Sequence, residues 1–394
     1  MVNLDLLNFH LIHPKNNIEM DSLHSTILRT SFISSGVITT PLQSMNTFTT
    51  ISTTNRFNTQ CGEIVTNLRE LTQRYNAKVK QALALDPTYR GSRSQGVKLA
   101  WKYEKADVEM GGSGSANWNK SQRQEILDCG TVRGAEGHHQ RSVAYHPEDQ
   151  ADPNNIRYYK SRSEHRDKGH NGDFHNESDA PKIDKEAMLK HTNRKRVNKN
   201  EFKGAGIAAA IGFVTGASIS FIVTIAQNGI SPDSLKDAVI NGGKSGLEGA
   251  TFGLINHIGT RLIGDVATNA MTGILSNFGI QITENITKAC NMGIAGSIAI
   301  ITFSVYQYIR LKRNGVSTKD ALFSVGKGAF VSVASLAVTV LVQSAYGGPA
   351  AIAVSVSIGA VMLGYSMYNM NQDKKLMNQI HCYTIKKSYP VIIE

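Results

Sequence analysis

A change of composition at residue 204 limits the possible folds of this chain more than any other feature. Residues 204–232 contain no Asp, Glu, Lys or Arg, nor do residues 289–309, nor the 45 residues from 328 to 372. A helix needs ~20 mainly apolar residues to cross a bilayer. Each of the first two runs is long enough for one crossing, and the third holds two, folded back at Gly347-Gly348-Pro349. Spans at 205–226, 289–309, 328–346 and 349–370, with residues 233–288 outside, put Arg194 to Lys203, Arg310 to Lys327 and Lys374 to Lys387 on one side, as the positive-inside tendency requires. Glycines four apart, Gly212 with Gly216 and Gly249 with Gly253, let helices approach closely in lipid, and equally in a tight soluble core. Residues 204–394 are therefore expected to form an all-α, Gly-rich apolar helical region associated with a membrane. The alternative is a bundle buried in a soluble homo-oligomer. A weak internal repeat, Asn228-Gly229-Ile230-Ser231 and, 86 positions later, Asn314-Gly315-Val316-Ser317, relates the two halves of this region.

The chain before residue 204 is of another kind. At 394 residues the protein exceeds the ~100–200 residues of one domain, and its charge of +11 favours a polyanionic partner, either nucleic acid or an anionic membrane face. Cys61, Cys129, Cys290 and Cys382 are scattered with no CxxC pair, which argues against a zinc ribbon, a redox couple or a disulfide framework. The first residues lack the basic and apolar regions of a cleaved signal peptide, so any secretion is expected to use another route. Residues 1–60 read as a low-charge N-terminal arm, rich in Ser, Thr and Asn and looped to about residue 58. Ile64, Leu68, Leu71, Tyr75, Val79 and Leu83 then recur every three or four positions, the stripe of an amphipathic helix. Residues 61–203, polar and histidine-rich, form the second expected domain.

Its chemistry lies in an ordered constellation: Gly137-His138-His139, then Asp152-Pro153-Asn154-Asn155-Ile156, then Glu164-His165 and Gly169-His170-Asn171-Gly172. Histidine is the side chain whose neutral form is available near pH 7 to take a proton from water, and His139 fits that role of general base. On an extended strand His138 points to the other face, towards a metal ion. A base that swings is a poor base, so a side-chain amide should pin the loop; Asn155 is placed to do so. His165 and His170 would complete the metal site from a helix. Ligands at i and i+5 do not share an α-helical face, which predicts a break at Gly169. Arg141, Arg157 and Arg162 surround the histidines and are candidates for nucleic-acid binding.

From about Trp101 to Leu189 the chain resembles bacterial toxin nucleases with a Gly-His-His signature, in the HNH/endonuclease VII (His-Me finger) superfamily. Trp118 and Asn119, Glu136-Gly137-His138-His139, the Asp152–Ile156 string and the His165/His170 pair carry the likeness. The resemblance implies an endonuclease acting on DNA ahead of RNA, with His139 as base, His138, His165 and His170 around a divalent ion (Mg2+ or Zn2+), and 5′-phosphate products. It departs from many HNH sites in the five-residue spacing of the last two histidines, and from such toxins in the 200 or so residues that follow the nuclease segment.

The expected fold class is α+β: a ββα-metal (His-Me finger) nuclease module followed by the all-α apolar region. The expected function is a metal-dependent endonuclease, a bacterial toxin or defence effector, with a cognate immunity or inhibitor protein as a further partner. The alternative is a membrane-inserting or pore-forming effector whose HNH-like segment is a binding or structural module. The expected location is at a membrane with the nuclease domain in the cytoplasm, or the cytoplasm itself.

Overall fold

The computed structural model describes residue 50 and residues 53–393, so most of the expected N-terminal arm lies outside the described residues. The chain divides into two compact units, one of Ser52–Glu201 and one containing Phe202–Glu394. It is mostly helical, with one two-stranded sheet among the described residues.

The first unit opens with α1 (53–85), which already runs through residues 53–58, expected to be looped. Tertiary anchoring overrides the poor helix propensity of this Thr/Asn-rich stretch. Thr54 donates to Glu201 at 2.7 Å, Asn193 donates to Asn58 at 3.0 Å, and Arg196 lies over the Phe57 ring at 3.6 Å. Helices α2 (Arg93–Glu109) and α3 (Lys120–Cys129) follow, α3 closed at its start by a reciprocal capping box of Asn119 and Gln122. Strands β1 (Glu136–His139) and β2 (Ile156–Tyr159) pair antiparallel, with His138 opposite Arg157 and His139 opposite Ile156. The single turn α4 (Arg162–Glu164) passes directly into a π turn, His165–Gly169.

Two apolar clusters hold these elements. Trp101 of α2 lies against Trp118 and the β2 residue Tyr158, with ring centroids 5.6 and 4.0 Å away, over Ile126 and Ile156. Cys61, Val65 and Leu68 of α1 pack with Tyr103 and Ala106 of α2, with Met110 just past its end, and with Leu189 of α5 (Lys185–Asn228). An ion pair joins α2 to α5: Lys185 Nζ stands 2.9 Å from Glu104 Oε1, and both side chains are fully buried. Glu104 also accepts from Trp118 Nε1 at 2.9 Å, from the Ser115 amide at 2.8 Å and from the Ser115 hydroxyl. Burial pushes its carboxyl up, but the Lys185 ammonium and these donors outweigh it, so Glu104 titrates below the ordinary carboxylate range.

The second unit consists of the rest of α5, then α6 (Pro232–Asn277), α7 (Glu284–Arg313), α8 (Thr318–Tyr346) and α9 (Gly348–Ile393). Four of the five helices, α6 excepted, are long and apolar enough to cross a membrane. The sequence repeat proves to be one helix-to-helix turn used twice. Gly229 and Gly315 take the left-handed conformation (φ 75 and 78) that ends a helix, and Ser231 and Ser317 cap the next one by accepting from Ser234 N and Asp320 N, each at 3.1 Å. Gly212 and Gly216 do mediate a close helix crossing: a Cβ at either would collide with the backbone carbonyls of Gly249 and Ser245 on α6.

This unit is inside out by the standard of a water-soluble fold. Ala238, Ser245, Gly246, Gly253, Thr260 and Thr268 are buried along α6, while Leu247, Leu254, Ile258, Leu262 and Val266 stand exposed. The same holds on α8, where Ser335, Thr339 and Gln343 are inside and Phe330, Val333 and Leu341 outside.

Candidate metal and nucleic-acid site

The hairpin sorts its residues by face. Glu136 and His138 of β1 share one face with Arg157 and Tyr159 of β2, and that face meets the π turn; Gly137, Ile156 and Tyr158 turn to the tryptophan core. The π turn answers the spacing problem posed by His165 and His170. Its i→i+5 hydrogen-bond register is wider than that of an α-helix, a form met as single turns at functional sites, and it brings both rings against His138, with centroids 5.1 and 4.7 Å away. The helical run does end at Gly169 as expected. Gly169 is required for space, since a Cβ there would press on His165 Cδ2 at 2.9 Å, Tyr159 Cε2 at 3.0 Å and His138 Nδ1 at 3.3 Å.

The second nitrogen of each ring is tied to an oxygen. His165 Nδ1 lies 2.7 Å from Glu136 Oε2, and His170 Nδ1 lies 2.7 Å from the Asn176 carbonyl. Both oxygens only accept, so these nitrogens carry the protons and the Nε2 atoms keep their lone pairs. His138 Nε2 meets Ser178 Oγ at 2.8 Å, and that hydroxyl stands 3.0 Å from the carbonyls of His139 and Gln140, which take its proton. Ser178 therefore accepts from His138, whose Nδ1 lone pair faces His165 Nε2 at 3.1 Å. Ring nitrogens of His138, His165 and His170 lie within 4.8 Å of one another. Converging lone pairs repel unless a cation sits among them, and imidazoles pinned from behind by carboxylate, carbonyl or hydroxyl are the usual surroundings of a metal ion. The donor set thus fits a divalent ion. Burial, then the neighbouring His170 and His165, push the His138 ring down to about 3, so it is neutral and free to donate its lone pair near pH 7.

His139 stands apart from that triad but lines the same cleft, of about 670 Å³. Its Nε2 is 3.1 Å from the Gln150 carbonyl, which fixes the proton on Nε2 and leaves Nδ1 basic. Burial lowers its pKa, the Gln150 bond opposes this, and the charge of Arg93 lowers it further. Gln150 can reach it because a Cβ at Gly96 would fall 2.6 Å from the Gln150 oxygen; glycine there lets the loop lie against α2. Asn155 is fully buried and clamps the same loop, donating to the carbonyl of Arg141 at 3.0 Å and accepting from the Arg141 amide at 2.8 Å.

The three arginines expected to meet nucleic acid fare differently. Arg141 is spent within the fold, 2.7 Å from Asp149 and 3.7 Å from Asp179. Arg162 leans on the Phe174 ring at 5.2 Å and on Glu136 at 3.5 Å, and Arg157 is exposed beside Tyr159. Arg90 and Arg93, which the reading of the sequence passed over, are exposed and line the cleft. Glu136 and Ser178 were also missed as ring-holding groups. The position of Glu136 two residues before His138 was the one available signal for it, since a strand's period of two puts both on one face.

Residues 88–160 match the family described as GHH signature containing HNH/Endo VII superfamily nuclease toxin. No curated protein and no solved structure matches. The matched segment covers under a fifth of the chain, but it holds β1, β2, His138, His139 and Asn155. Over that segment the chain is similar to the GHH-signature nuclease toxins of the HNH/Endo VII superfamily.

Proposed function

We propose that the first unit is a metal-dependent endonuclease, a ββα-metal module that hydrolyses phosphodiester bonds of nucleic acid, DNA ahead of RNA. The observation that carries this reading is the convergence of three imidazole lone pairs beside a fourth, separately tethered, neutral histidine. His138, His165 and His170 would hold the divalent ion, Mg2+ or Zn2+, which when bound stabilises charge on the scissile phosphate and the leaving oxygen. His139, steered by Gln150, takes the proton of the attacking water at Nδ1, and Asn155 holds the loop on which that steering depends. Glu136 and Ser178 fix the tautomers of the ligand rings. Cleavage of plasmid should require a divalent ion, stop on addition of EDTA, and fall by ~10²–10⁴ in His139→Ala. Undiminished cleavage by that variant removes the assignment.

A second reading concerns the helical unit: we propose that it is embedded in a membrane. Its small and polar residues face inward and its large apolar ones outward, the arrangement that hydrocarbon solvent favours and water penalises. Gln343 and Asn291 are almost fully buried, and their side-chain amides have no hydrogen-bond partner among the described residues. Release of a trapped dye from liposomes by the His139→Ala chain would make this unit an effector in its own right, a pore former. Flotation with vesicles but no release would make it an anchor. As a toxin with intracellular targets, the protein would call for a cognate neutralising partner in its producer.

A further inference from the structure

Which ends of the helical unit emerge together follows from how its helices pair. On α5 and α6, Gly212 meets Gly249 and Gly216 meets Ser245, so rising numbers on one helix meet falling numbers on the other. On α6 and α7, Gly259 meets Ile298 while Phe252 meets Phe303 and Tyr306. On α8 and α9, Ser335 meets Met362 and Thr339 meets Ser355. On α7 and α8, Gly293 meets Val340 while Phe303 and Gln307 lie beside Ser324 and Gly328, so each neighbour is antiparallel to the last. The ring then closes: Lys374 Nζ of α9 donates to the Gln227 carbonyl, at the far end of α5, at 3.0 Å, and the turn at Gly347 lies beside Asn285 at the start of α7.

Four helices fit the expected arrangement of four spans with residues 233–288 outside, but the pairing offers α6 as a fifth. α6 runs alongside both α5 and α7, and whatever slab those two cross, α6 crosses as well. Its sequence allows it. Between Lys244 and Arg261 the one charged residue is Glu248, which accepts from Tyr306 of α7 at 3.2 Å. That stretch is ~24 Å long at 1.5 Å per residue, a little under the ~30 Å hydrocarbon layer, and the long side chains of Lys244 and Arg261 reach the interfaces by snorkelling. Leu247, Leu254, Ile255 and Ile258 then face the acyl chains, and Ser245, Gly246, Gly253 and Thr260 face the other helices.

We infer that the helical unit crosses the bilayer five times, α6 included, so that the residue-202 end of α5 and the Lys374 end of α9 emerge on opposite faces. This rests on the membrane reading above and goes beyond it in the number of crossings. Arg310, Lys312, Arg313 and Lys319 then lie with Lys374 and Lys375 on one face, opposite the basic run from Arg194 to Lys203.

The chain carries its own reporters, since Cys129, which precedes α5, and Cys382 on α9 are both exposed, whereas Cys61 is buried. The His139→Ala chain, with all native cysteines kept, is reconstituted in sealed liposomes and treated with a membrane-impermeant maleimide. Five crossings predict that each molecule is modified at Cys129 or at Cys382 and never at both, read by intact mass and peptide mapping, until detergent opens the vesicles and both react. Molecules carrying both labels before detergent, in protein that floats with the vesicles, would mean an even number of crossings and overturn the inference. Protein that fails to float, with both cysteines labelled throughout, would instead overturn the membrane reading.

Discussion

The nuclease unit and the helical unit bury polar groups in opposite ways. In the first, the buried Glu104 has Lys185, Trp118 and Ser115 as partners, and each ring of the His138, His165 and His170 cluster has its oxygen. In the second, the buried hydroxyls of Thr224, Ser335, Thr339 and Ser355 bond mainly to carbonyls of their own helices, the amides of Asn291 and Gln343 have no partner among the described residues, and many large apolar residues are on the outside. The difference is what the proposal of a membrane-embedded helical unit rests on. A water-soluble fold buries charge only where a network repays desolvation, whereas in a bilayer the exterior must be apolar and the interior takes what remains.

The sharpest way to break the comparison is to remove one buried polar group from each unit. Glu104→Ala leaves the buried Lys185 without its counter-ion, and should cost the nuclease unit ~3–5 kcal/mol. Both tryptophans of the chain, Trp101 and Trp118, sit in the core of that unit, so tryptophan fluorescence in denaturant reads its unfolding alone. Gln343→Leu should act with the opposite sign, because it removes an amide whose burial costs ~1–3 kcal/mol and forfeits no hydrogen bond. Helical circular dichroism in detergent micelles should show a higher melting temperature for that variant. A lower one would mean that Gln343 serves the bundle and that its interior is wet or paired.

Next in size is the carboxylate behind the proposed metal site. Glu136→Gln keeps an acceptor for His165 Nδ1 but loses the charge, and should weaken divalent-ion binding ~10–100-fold by calorimetry with the unit still folded. Unchanged affinity would reduce Glu136 to a partner of Arg162. The metal-free nuclease unit should also lose stability in acid. His138 takes its proton near 6.5 when unfolded but only at about 3 when folded, so the unfolded state binds the extra proton between those values. Stability from this source is whole above pH ~6.5 and falls as pH drops towards 3, by ~1.4 kcal/mol per pH unit per proton. In EDTA the denaturant midpoint should follow that slope, and His138→Asn should flatten it.

Much of this was legible beforehand because it depends on local spacing. The hairpin between Gly137-His138-His139 and Ile156, the tethering amide of Asn155, the end of the helix at Gly169 and the apolar runs are all properties of short stretches. What escaped depends on residues brought together from afar. Arg141 looked like a phosphate ligand until the fold delivered Asp149 and Asp179 to it, and nothing around residue 54 announces that Glu201 will anchor a helix there. The direction in which α6 runs was hidden for a related reason: Lys244, Glu248 and Arg261 lower its hydropathy, and only the antiparallel pairing shows where those charges lie.

The smallest effect expected is also the one that ties the cleft to its substrate. Arg90 and Arg93 have neither an ion pair nor a side-chain hydrogen bond among the described residues, unlike Arg141 and Arg162, and they line the same cleft as His139. Guanidiniums left free beside the proposed phosphodiesterase centre can neutralise backbone phosphates, and each such contact releases counterions, steepening log K against log salt by ~0.9 for duplex DNA. In a His139→Ala background, where the duplex stays intact, Arg90→Ala and Arg93→Ala should each shallow that slope by about one unit or less, and Arg141→Ala should not change it. Arg93→Lys should restore the slope, because the charge is kept, but not cleavage in the active chain if the planar fork is what seats the phosphate. A slope that answers to Arg141 and ignores Arg93 would mean that the strand approaches from the loop side of the hairpin, and the functional face of the nuclease unit would have to be redrawn.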